Sequence, residues 1–232
     1  MADTQEASGR TGRHVVAARR ALGLAHARPA AAERTFRAVL RSREAEPEAR
    51  AVALWGLGQL AHARSEIVDA IAAFAAAVGE ASAIGDLELA AEIRVSWAAC
   101  EQSAGNSAAA LAQLDQAQPH LTGALLGKVL TQRGFVLAVV GDRDAALASY
   151  DEGLPLLLDG GDDIAALRSL LNRGTMLMQL GRFGPALAEA PPAPAAAPAS
   201  NLAPAQPPKR KGSKRSKGNV DYVAQPVVQK TD

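Results

Sequence analysis

The chain has 232 residues with a formal net charge of +1, 48% hydrophobic and only 3% aromatic, enough for one sizeable domain or a domain with a tail. Abundant alanine and scarce aromatics favour closely packed helices over a β-sandwich, and a lone cysteine, Cys100, excludes a disulfide framework and a cysteine-based zinc site. MADTQEASGR lacks the apolar core of a signal peptide and the longest apolar run, AIAAFAAAV from Ala70, is short for a membrane span; a cytoplasmic protein with no membrane partner is expected.

In chain order, residues 1–12 are expected to be disordered and residues 13–190 to form a helical domain. A degenerate first pair of helices is predicted over about His14–Ala27 and Ala30–Glu46, with a second over about Glu48–Ala63 and Glu66–Ala83. A third pair follows over about Leu87–Ala104 and Ser107–Ala117, and a fourth over about Gly123–Val140 and Arg143–Leu158. A fifth first helix is expected over about Asp163–Leu180, with Asp162 or Asp163 as its N-cap. Its partner would start near Phe183 and be cut short by Pro191-Pro192, leaving an uncapped repeat end as a candidate surface for self-association.

The domain and the remainder differ in charge. Residues 1–190 carry 18 Lys+Arg against 22 Asp+Glu, while residues 191–232 carry seven against two. Lysine replaces arginine as the main cation at the same boundary. The Pro/Ala-rich segment 191–232 buries too little apolar surface to order itself and is expected to be a disordered basic tail.

The predicted pairs share a register. Gly58, Ala98, Gly134 and Gly174 form a column of small residues with spacings of 40, 36 and 40, which Ser65, Gly105, Gly141 and Gly181 repeat. Ala70, Ala110, Ala146 and Ala186 form a third column, and Phe74, Leu114 and Tyr150 a bulky fourth. A small residue in the first helix admits the second, a glycine ends a helix at positive φ, and the bulky residue fills the gap between units.

This pattern, best developed in Leu57-Gly58 followed by Ala70 and Phe74, resembles the tetratricopeptide repeat (TPR). Trp55 is displaced from the usual aromatic position, Ala61 stands where tyrosine is typical, and the period exceeds the usual length. The stretches ALWGLGQLAHARSEIVDAI and LNRGTMLMQLGR are similar to the N-terminal repeats of actinobacterial proteins that end in a CHAT (caspase-like) protease domain. The resemblance implies an all-α, right-handed α-solenoid of about five TPR-like helix pairs, a protein-binding scaffold, and a regulatory module or truncated piece of a larger signalling protein.

Catalytic patterns are weak. His14, His26, His62 and His120 never recur four residues apart on a helix, so no metal site is expected, and no cofactor. GALLGK, ending at Lys128, is one residue short of a phosphate loop, follows no strand and reads as a helix start. Cys100 lies within a helix with no base near it and is expected to pack; the chain is not expected to be an enzyme.

The concave side of such a stack would be lined by the first helices. Residues six and two before the small column give Lys128 with Gln132 and Arg168 with Asn172 in the last two units, a set able to hold a carboxylate or backbone carbonyls of a peptide or partner helix. It resembles, incompletely, the carboxylate-binding groove of chaperone-binding repeats. Earlier units place Val52 with Gly56 and Glu92 with Ser96 there; Trp55, Gln59 and His62 form a second candidate patch. The rival reading rests on the tail, where Lys209, Arg210, Lys211, Lys214, Arg215 and Lys217 crowd together and could bind nucleic acid weakly and without sequence preference.

Overall fold

The computed structural model describes residues 2–182, with side chains from Gly12 onward. Among these there are nine α-helices and no strand: α1 (Ala2–Leu24), α2 (Pro29–Arg41), α3 (Pro47–Ala63), α4 (Ile67–Ala83), α5 (Leu87–Ser103), α6 (Ser107–Ala117), α7 (Gly123–Val140), α8 (Arg143–Asp159) and α9 (Asp163–Gln179). A 3-10 turn, Gln118–His120, follows α6. Consecutive helices pack as antiparallel neighbours, and each first helix also touches the next first helix, which makes an all-α helical-repeat solenoid. The tail and the partner expected for α9 lie outside the described residues.

Two boundaries differ from expectation. The helix placed from His14 starts at Ala2, so residues expected to be disordered form the opening turns of α1. No proline interrupts them, and Ala, Gln and Glu extend a helix already nucleated by the packed part. Conversely α2 stops at Arg41, because Pro47 holds Glu46 in an extended conformation (φ −64°, ψ 152°) and the chain must leave the helix to reach it.

The turn column explains why pairs end where they do. Ser65, Gly105, Gly141 and Gly181 all have positive φ, between 62° and 92°. After each, the next backbone N–H reaches back to a carbonyl five residues earlier, as from Asp142 to Leu137 (3.0 Å) and Arg182 to Leu177 (2.8 Å). Gly85 and Gly161 do the same after α4 and α8. Asp86, Asp142 and Asp162 then cap the following helix, accepting from the N–H of Leu89, Ala145 and Ala165. A Gly-Asp dipeptide therefore stops one helix and starts the next.

The small column seats the bulky one. A Cβ on Gly58 would lie 2.7 Å from the Phe74 ring, and one on Gly134 would lie 2.8 Å from that of Tyr150. Phe74, Leu114 and Tyr150 are almost wholly buried. Gly127, the second glycine of GALLGK, serves packing of the same kind: its Cβ would meet the Gly153 carbonyl of α8 at 2.9 Å.

AIAAFAAAV is the longest unbroken apolar run, but α7, although interrupted by Lys128, Gln132 and Arg133, is long and apolar enough to cross a membrane by length and composition alone, with mean hydropathy 1.4 over Gly123–Val140. Here α7 packs against α5, α6, α8 and α9, and a helix with neighbours on several sides is apolar around most of its circumference.

Candidate peptide-binding groove

The inward positions of α7 and α9 converge. Lys128, Gln132, Arg168 and Asn172 line one open pocket of about 580 Å³, with Val95 of α5 and the apolar side chains of Phe135 and Ile164. Four residues chosen by register alone are thus brought to one place by the packing of successive first helices.

Their availability differs. Lys128 Nζ lies 2.7 Å from Asp162 Oδ2, so its charge is already countered within the pocket. Asp162 also caps α9, and the Lys128 ammonium together with the Ala165 N–H holds its carboxyl below the ordinary range. Arg168 is exposed and makes no ion pair among the described residues; its charge also helps to hold the Asp162 carboxyl down, but at a distance, which leaves it as the less committed cation of the pocket. Asn172 sits beside the phenol of Tyr150, whose pKa is pushed up to about 12 by burial, with the Asn172 contact pulling slightly the other way. Gln132 is half-buried. Thr131, also lining the pocket, is 7% exposed, and its hydroxyl has no hydrogen-bond partner among the described residues. Sequence reasoning passed over Thr131, since a β-branched hydroxyl in an apolar helix carries no distinguishing signal.

Glu92 occupies on α5 the register of Lys128 and Arg168. Burial raises its pKa; Arg19 and Lys128 oppose that rise, while Glu88 and Asp86 reinforce it. The inward register thus changes sign once, between α5 and α7, and stays positive on α9.

In the second patch the polar side chains are engaged by the neighbouring first helix. Trp55 is 9% exposed, belongs to the core, and donates its indole N–H to Ser96 Oγ at 2.8 Å. His62 Nε2 is 3.0 Å from Ser103 Oγ, and Gln59 is half-buried between them on α3. These contacts tie α3 to α5. The six basic residues Lys209, Arg210, Lys211, Lys214, Arg215 and Lys217 lie outside the described residues.

Cys100 is fully buried, and burial, with the neighbouring Glu101 carboxylate, pushes its thiol pKa up, away from the thiolate a nucleophile requires. Among the described residues no three His, Cys, Asp or Glu side chains are grouped to hold a metal ion.

Fold and groove together define an all-α helical-repeat protein. No family model and no curated protein matches the chain. Among solved structures it is similar in fold to BtubC (BKLC) from P. vanneervenii, with a TM-score of 0.60 and 15% identity over 79% of this chain and 88% of that one.

Proposed function

We propose that this chain is a protein-interaction scaffold of the tetratricopeptide kind, which binds an extended peptide or a partner helix in the groove between α5, α7 and α9. The observation that carries this reading is the convergence of Lys128, Gln132, Arg168 and Asn172 on one open pocket beside Phe135 and Ile164. Amide side chains on adjacent helices suit the carbonyls and N–H groups of an extended backbone, and the apolar wall suits one buried side chain of the ligand. Arg168 supplies a fork for an acidic group. The scaffold serves as a regulatory module, of the sort that precedes CHAT domains in the proteins its sequence resembles.

Selection of binders from a random peptide library on the full chain tests this. Arg168→Glu should lower the affinity of selected peptides at least tenfold, by removing one charge-assisted contact and adding a repulsion, while far-ultraviolet circular dichroism stays unchanged. Undiminished affinity in that variant would reject the groove.

A further inference from the structure

A second pocket, of about 300 Å³, opens on the other side of α5, between the end of α4 and the 3-10 turn after α6. It follows from a break in a column. Four residues before the small column stand Leu54, Arg94, Leu130 and Leu170. Leu130 is 4% exposed and Leu54 packs against the core, so this is a position for apolar side chains. In the third pair it holds a guanidinium instead. The covering helix is also shorter there: α6 has 11 residues where α4 and α8 have 17, and the turn bearing Pro119 and His120 replaces the missing length.

Arg94 is half-buried and donates from Nη1 to Gln113 Oε1 at 2.7 Å, but it forms no ion pair among the described residues. A guanidinium has five N–H donors in a planar fork, so most of its bonding capacity is unused. Burial lowers its pKa, with no carboxylate acting in the opposite direction. No Asp or Glu lines the pocket; Gln116, His120 and Ser82 bring the further polar side chains, and Ala90 and Leu87 form an apolar wall. Desolvating a cation without a counter-ion is costly, and a site that replaces leucine by such a cation lacks the anion that would offset the cost.

We propose that the Arg94 pocket binds a small oxyanion, a phosphate or carboxylate group, gripped by the Arg94 fork and completed by hydrogen bonds from Gln116, His120 and Ser82. The site is on a different face of α5 from the groove and stands independently of it.

The test is thermal unfolding of the full chain titrated with inorganic phosphate or with acetate, ionic strength being held constant with chloride. The midpoint should rise saturably with at least one anion, reaching half its shift in the low-millimolar range or below. Phosphate also stabilises proteins by exclusion from their surface, but that rise does not saturate and is shared by all variants. Arg94→Leu, which restores the column, should raise the midpoint without anion and abolish the saturable part. A response to phosphate alone assigns a phosphate ligand, one to acetate alone a carboxylate, and one to both the shared oxyanion chemistry. No saturable response to either, or the same response in Arg94→Leu, overturns the proposal. Should Arg94→Leu not fold, the double variant Gln116→Ala/His120→Ala at two exposed positions decides. It should need several-fold more anion, and an unchanged half-saturation would equally overturn the site.

Discussion

The inward faces of the two halves of the repeat array are built from the same register yet end in different states. Along α3 and α5, polar side chains bond to one another across the helices: Trp55 to Ser96 and His62 to Ser103, each pair 41 residues apart. Along α7 and α9 the positions equivalent to Trp55 and Ser96, Thr131 and Asn172, line an open pocket instead, and among the described residues the tie between the two first helices is the ion pair of Lys128 with Asp162. Register therefore selects which residues face inward, but whether they are available depends on what the next first helix offers them. A serine under a tryptophan closes the face; an amide opposite an arginine leaves it open.

Packing between the two helices of a pair is common to both halves, so its loss should not distinguish them. Phe74→Ala in the second pair and Tyr150→Ala in the fourth should each cost about 3–5 kcal/mol, because each removes a buried plug seated on a glycine and leaves a cavity. Urea unfolding measures both. A much smaller loss for either would show that the bulky column does not hold the pairs together.

The inward face should distinguish them sharply. Ser96 and Gln132 occupy the same column position, yet Ser96→Ala strands the buried indole N–H of Trp55 and should cost roughly 1–3 kcal/mol. Gln132→Ala should change stability by less than about 0.5 kcal/mol, since a half-buried amide facing a pocket supports nothing else. Peptide binding should respond in the opposite order, with Gln132→Ala weakening it and Ser96→Ala leaving it intact. Equal stability losses would erase the contrast between the halves.

Much of this architecture was legible in the sequence, because the columns encode it directly. Positive-φ glycines, Gly-Asp caps and small-against-bulky pairs are local signals repeated in register, and nearly every helix boundary followed from them. That Lys128, Gln132, Arg168 and Asn172 share one side of the stack was legible for the same reason. Their commitments were not. Trp55 faces Ser96 from the neighbouring pair, and Lys128 meets an aspartate whose sequence signal is helix capping, so neither partnership shows in a single repeat. Arg94 does leave a trace, a cation in a column of leucines, but a single departure in one repeat looks the same as an ordinary surface arginine. The opening turns of α1 were missed because a polar segment without a repeat looks the same whether helical or not.

The Lys128–Asp162 pair offers the finest test of the contrast, since among the described residues it is the ion pair that partly closes the open half. The folded carboxyl of Asp162 is held below its ordinary value of 3.8, so the pair persists at neutral pH, and its contribution is lost only as pH falls through that lowered value. Acid is thus a poor way to release Lys128, and Asp162→Asn is a better one. Asparagine caps a helix as well as aspartate, so α9 should still begin at the same residue, and the unfolding midpoint should move little because the pair is solvent-accessible. What should change is recognition: with Lys128 uncountered beside Arg168, an acidic peptide selected on the wild-type protein should bind roughly threefold tighter, and the gain should fade as salt is raised. A neutral peptide should gain nothing. If the acidic peptide bound no better at low salt, Lys128 would be a strut between α7 and α9, and Arg168 alone would supply the charge of the groove.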